Sequence, residues 1–264
     1  MAFSKIDGIT LHWHVVGPQE RFAIVFSNSL GADWRIWDRT TMLLENRYRI
    51  VTYDKRGHGL SDAPKGPYTI NDHANDLLAV ADLAGAERFA VVGISVGGLI
   101  AQQVVAQMPA RVSALVLCDT AAKIGTAESW AGRIASIQNA GLASIADGLM
   151  ERWFSKQFRQ TRKAELAGWR NMLTRTPVDG YIATCEALRD ADLTLQATKI
   201  GVPTLVVTGD EDGSTPPDVV RAMANLIAGA RFEIIKQSGH LPCIEQPEAL
   251  AALIAGHLQE AGHV

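Results

Sequence analysis

Six short apolar runs, most of them separated by amphipathic stretches, restrict this chain more than any other feature. FAIVFSNS, YRIVTYD, FAVVGIS, SALVLCDT, TLVVTGD and RFEIIKQ are rich in β-branched residues and apolar on both faces, the pattern of parallel strands covered on each side. Stretches such as TINDHANDLLAVADLAG and PPDVVRAMANLIAG lie between them and are long enough for right-handed crossovers. Strand and helix in alternation predict an α/β fold, with a mostly parallel, doubly wound sheet and helices on both faces. The N-terminal MAFSKIDGITLHWHVVGP alternates like one further strand.

One interval breaks the rhythm. Between the fourth and fifth runs the chain is far too long for a single crossover, and AESWAGRIASIQNAGLASIADGLMERWF, ELAGWRNMLTR and YIATCEALRD are helical in period. Residues 122–195 are therefore expected to form a helical lid inserted into a core made of 1–121 and 196–264. Ligands in open α/β folds bind outside the carboxyl ends of the strands, so a lid there would exclude water and shape the pocket. Trp130, Trp153 and Trp169 lie in it, where packing within the lid is the simplest account of each.

The third run leads into Gly93-Ile94-Ser95-Val96-Gly97 and then into VGGLIAQQVVAQM, which has helical spacing and stops before Pro109. A serine squeezed between a strand and a helix must take a strained backbone conformation, and it needs neighbours without side chains to do so. Such a turn pushes the hydroxyl over the sheet edge and aims the first free N–H groups of the helix at whatever the hydroxyl attacks. A serine that merely caps a helix is the alternative.

A nucleophilic serine needs a base, and the base needs a carboxylate to fix its tautomer. Of seven histidines, only His240 follows the last predicted strand, in the loop QSGHLPCIEQP. His12 and His14 sit in the N-terminal strand, His58 in a glycine turn, His73 on a helix, and His257 and His263 near an exposed C-terminal helix. The acid comes from TLVVTGDED, where Asp212 lies far enough into the loop to reach the histidine and Asp210 is the alternative. Ser, Asp, His in that chain order fits a nucleophile-elbow hydrolase.

Charge and composition exclude other classes. A net charge of −3 offers no basic face for nucleic acid, and no segment approaches the ~20 apolar residues of a membrane span. The N-terminus lacks the pattern of a signal peptide, and three scattered cysteines suit a reducing, cytoplasmic setting better than a disulfide framework.

The whole chain resembles the α/β-hydrolases and, among them, the 3-oxoadipate enol-lactonases of bacterial aromatic catabolism. The resemblance is carried by SNSLGADWRIWD, YDKRGHGLSDAPKGPYTI, GISVGG, VLCDTAAKIGTAESWAGRI, RWF, EALRDADL, VPTLVVTGDEDGSTPP and SGHLPCIEQPE. NSLG and AESWAGRI are the pieces most particular to these lactonases. The resemblance implies Ser95 as nucleophile, Asp212 as acid, His240 as base, and the N–H groups of Leu30 and Val96 as oxyanion donors. Where most relatives have His-Gly before the first donor, this chain has Asn28 and Ser29, whose side chains are expected to pin the loop. The implied substrate is a small lactone bearing a carboxylate, with no metal or organic cofactor. Arg133, one helical turn from Trp130, is the candidate for holding that carboxylate, unless it is a solvated lid arginine. Trp130, Ser29 and Trp153 are expected beside it, with Lys123 the next cation in line. A C–C bond hydrolase, an esterase or a perhydrolase shares this machinery, and a hydrolase-fold ligand receptor shares the scaffold. The sequence does not give the oligomeric state.

Overall fold

The N-terminal stretch forms two strands where alternation alone suggests one. In a computed structural model describing residues 1–263, Asp7 and Gly8 take φ of 48° and 88° and turn the chain between β1 (Ala2–Ile6) and β2 (Ile9–Val16). The two pair antiparallel with Ile6 opposite Ile9. An Asp-Gly pair is the sequence signal for such a two-residue hairpin, and it puts His12 and His14 on the second strand.

The six apolar runs form β3 (Ala23–Ser27), β4 (Arg49–Tyr53), β5 (Phe89–Ile94), β6 (Val112–Cys118), β7 (Thr204–Gly209) and β8 (Arg231–Ile235). The sheet order is β1-β2-β4-β3-β5-β6-β7-β8, and β2 alone runs against the rest. Every residue of β3, β5, β6 and β7 is buried, which is why these runs are apolar throughout.

From β3 the chain moves through α1 (Asp38–Met42) to one side of the sheet, then returns through α2 (Ile70–Leu83) to β5 and through α3 (Val96–Gln107) to β6. Right-handed crossovers in opposite directions lie on opposite faces, so α1 covers one face and α2 and α3 the other. The order reverses at β3 and β5, and the crevice of such a fold opens beyond the ends of those strands.

Of the helices between β6 and β7, the first five are α4 (Ala127–Ala140), α5 (Ala143–Trp153), α6 (Lys156–Thr161), α7 (Lys163–Thr174) and α8 (Val178–Asp190). All lie inside the expected insertion, whose end at 195 falls within the short α9 (Thr194–Ala197). The chain closes with α10 (Pro217–Ala224), α11 (Pro242–Glu245) and α12 (Pro247–Glu260), the last packed on α1. His257 is buried in α12 with Leu250, Ile254 and Leu258, so that helix is not the exposed one its polar end suggests. Cys118, Cys185 and Cys243 are free and buried. No helix among the described residues is long and apolar enough to cross a membrane.

Candidate active site

Ser95 stands between β5 and α3 with φ 58° and ψ −123°. A sparsely populated region of this kind costs a residue with a Cβ roughly 1–3 kcal/mol and persists only where the surroundings over-determine it. Here the Ser95 N–H donates to the Cys118 carbonyl at 3.1 Å, and the Thr120 hydroxyl donates to the Ser95 carbonyl at 2.7 Å. A Cβ on Gly93 would collide with the Gly97 carbonyl, and one on Gly97 with the Ser27 carbonyl. The close approach of β3, β5 and α3 thus requires both glycines, and Gly98 is pressed against Thr120 in the same way. Among the described residues the Ser95 hydroxyl makes no hydrogen bond, to His240 Nε2 or to any other atom; Ser95 and His240 meet as two linings of one cavity.

His240 is delivered by the loop after β8, and Asp212 by the loop after β7. His240 Nδ1 lies 2.9 Å from Asp212 Oδ2, which leaves Nε2 as the basic nitrogen when Nδ1 carries the proton. Asp212 also accepts from the Ser214 N–H at 2.7 Å, the Thr215 N–H at 3.1 Å and the Thr215 hydroxyl at 2.7 Å. Burial alone would raise its pKa. The charge of His240 and these donors outweigh that and hold the carboxyl below its ordinary value. Asp210 turns away, accepting from the Ser238 N–H at 3.3 Å and facing Lys236 at 3.6 Å. Glu245 braces the histidine loop by accepting from the Gly239 N–H at 2.7 Å and from the Ser155 N–H beyond α5 at 3.2 Å.

The loop after β3 is buried from Ser27 to Ala32. Asn28 pins it as expected, its amide donating to the Ala32 carbonyl. Ser29 contributes through its backbone instead: its carbonyl accepts from Lys55 Nζ at 2.6 Å, while its hydroxyl finds no partner among the described residues. The Gly31 N–H donates to His58 Nε2 at 2.9 Å. Burial, with the Lys55 charge nearby, holds His58 well below its usual pKa, so the neutral ring can accept. The N–H groups of Leu30 and Val96 have no acceptor among the described residues.

Lys55 and His58 belong to YDKRGHG, and sequence reasoning gave neither a role in this loop. A charged residue at the very end of a buried strand was the available signal. Burial lowers the Lys55 pKa to about 7 against the pull of Asp54 and Asp33. Since folding lowers this pKa from 10.5, the unfolded chain binds the extra proton between those values, and stability rises with pH across that window. The urea midpoint of the wild type, minus that of Lys55→Met, should therefore increase from pH 7 to pH 9. Parallel pH dependence in the two proteins would mean that Lys55 titrates as an exposed lysine does.

Ser95, His240, Leu30 and Ser29 line one cavity of about 270 Å3, with Ser214 and Thr215 from the loop after β7, and the rest of its wall comes from the helical insertion. Trp130 and Trp153 are both in that wall, and the Trp130 indole N–H is fixed on the Ile124 carbonyl at 2.6 Å. Arg133 lies with its guanidinium carbon 4.7 Å from the centre of the Trp130 ring, as the i, i+3 spacing predicts. Arg152, which the sequence did not single out, lines the same cavity from α5. Neither arginine makes an ion pair among the described residues, and no Asp or Glu is among the lining side chains. Lys123 is not in the wall; it pairs with Asp192 at 3.2 Å on the surface. A larger cleft of about 800 Å3 lies between Trp34 and Trp169 and is lined by none of Ser95, Asp212 and His240.

A sequence profile described as the alpha/beta hydrolase family matches residues 24–253. The 3-oxoadipate enol-lactonase 1 of Acinetobacter baylyi is 35% identical over 253 residues, covering 96% of this chain and 94% of its own. The 3-oxoadipate enol-lactonase 2 of that organism is 32% identical, covering 91% and 90%. A crystal structure of the enol-lactonase from Burkholderia xenovorans superposes with a TM-score of 0.94 at 35% identity, covering 98% of this chain and all of that one.

Proposed function

We propose, from the premise that the chain belongs to the alpha/beta hydrolase family, that it hydrolyses a small enol-lactone carrying a free carboxylate, of the kind opened to 3-oxoadipate. The observation that carries this reading is the cavity beside Ser95. Arg133 and Arg152 line it without carboxylate partners among the described residues, no acidic side chain lines it, and its size suits a single small ring. An anionic substrate would supply the missing counter-charge, and the named relatives support the lactone.

In the proposed reaction Ser95 Oγ attacks the ring carbonyl while His240 Nε2 takes its proton, and Asp212 stabilises the imidazolium that forms. The oxyanion accepts from the N–H groups of Leu30 and Val96, with the positive end of α3 behind the latter. Collapse expels the ring oxygen as an enol, to which His240 returns the proton. The enol stays tethered to the acyl group, and its conversion to the ketone makes opening hard to reverse. Water activated by His240 then cleaves the acyl-enzyme. Helices α4 to α8 serve in this scheme as the lid, residues 122–195, over a core of 1–121 and 196–264.

The reading is tested by following loss of enol-lactone absorbance with purified protein beside a panel of neutral esters. A kcat/KM for the lactone that is no higher than for simple esters would return the chain to an esterase. Arg133 gives a sharper contrast. Arg133→Ala should lower kcat/KM for the charged lactone by about 1.5–3 kcal/mol in transition-state terms, the scale of a charge-assisted hydrogen bond, and hardly touch neutral esters. Equal losses on both would mean damage to the lid wall, and would leave the carboxylate to Arg152.

A further inference from the structure

Two carboxyl groups, from two different strands, stand behind His240. Asp119 follows the last residue of β6 and holds a backbone φ of 45°, a region that aspartate tolerates better than most residues with a side chain. It is wholly buried. Its Oδ1 accepts from the Gly209 N–H at 2.8 Å and the Thr208 hydroxyl at 3.4 Å, while its Oδ2 meets no donor. Asp119, Asp212 and His240 each place one polar atom within 4.8 Å of the other two.

Two carboxylates this close in a dry interior cannot both ionise. The charge falls to Asp212, which accepts from two N–H groups, a hydroxyl and the imidazole. Burial first, and the charge of Asp212 second, push the Asp119 carboxyl well above the carboxylate range. The other titratable groups packed on Asp119 are the thiols of Cys118 on its own strand and Cys243 on α11, both kept protonated by burial. Among the described residues no Lys or Arg forms an ion pair with Asp119, and His240 is the one basic side chain grouped with it.

We propose that Asp119 is a positioning acid of this site: it holds a proton that it donates to Asp212, so that the pair shares one negative charge behind His240, and it supplies that charge itself when Asp212 is neutralised. The proton stays within the carboxyl pair, and His240 remains the group that exchanges protons with Ser95. The inference rests on the proposed triad but not on the identity of the lactone.

The test uses p-nitrophenyl acetate, a neutral ester, and two isosteric changes. Asp119→Asn keeps a donor beside Asp212, so kcat/KM should stay within about threefold of wild type, and the acid limb of its pH profile, which reports His240, should not move. The double variant Asp212→Asn/Asp119→Asn should fall at least tenfold below Asp212→Asn alone, because the last carboxylate beside the histidine is gone. The downfield proton resonance of the His240 Nδ1–H, followed against pH in wild type and Asp119→Asn, reads the same titration without turnover. An acid limb lowered by about one unit in Asp119→Asn would mean that a second negative charge had been removed, and would overturn the shared-proton arrangement. A double variant as active as Asp212→Asn would overturn the substitution. Ester turnover that survives in Ser95→Ala would instead indict the triad itself.

Discussion

Ser95→Ala should lower turnover of lactone and ester alike by about 10^4- to 10^6-fold, the scale seen when the nucleophile of such a triad is lost. The fold should survive. Alanine keeps the Cβ that the elbow already accommodates at φ 58°, and the Ser95 hydroxyl makes no hydrogen bond to the described residues that the change would break. The bonds holding the turn run through the Ser95 backbone, to Cys118 and from Thr120. Steady-state kinetics beside a thermal melt decide the matter. Activity within tenfold of wild type, in a protein that melts normally, would take the nucleophile away from Ser95.

Asp212→Asn should lower kcat/KM by about 10^3- to 10^4-fold, because the amide no longer stabilises the imidazolium and can hold the ring in the wrong tautomer. Asp210→Asn should cost less than about fivefold, since Asp210 faces Ser238 and Lys236 and exposed ion pairs contribute little. The two aspartates are neighbours but one in sequence, so the contrast controls for disturbance of their common loop. The reverse ranking would make Asp210 the partner of His240. The residual activity of Asp212→Asn is what the Asp119 arrangement predicts to be carboxylate-dependent.

The fold was legible because it rests on local periodicity. Six apolar runs on two-faced strands, with helices between them, admit few arrangements other than a doubly wound sheet, and each run became a strand. Gly93 and Gly97 announced the elbow because backbones that touch leave no room for a Cβ. The N-terminal hairpin differs from the single strand that alternation predicts for a local reason too: polar and apolar residues keep alternating through the Asp7-Gly8 turn, where φ is positive at both residues.

The electrostatics of the site were decided elsewhere. Lys55, Asp119, Arg152 and Glu245 come from four distant parts of the chain, and nothing in their own neighbourhoods distinguishes a charged side chain that meets the site from one that meets water. Asp119 and Asp210 stand at equivalent places, each next after a strand, yet one is sealed under β7 against Asp212 and the other turns outward to Lys236. Sequence periodicity determines which face of an element is buried, because that depends on spacing along one strand or helix. Which buried charges meet depends on register and order between strands far apart in the chain, and in a low dielectric that meeting sets their protonation.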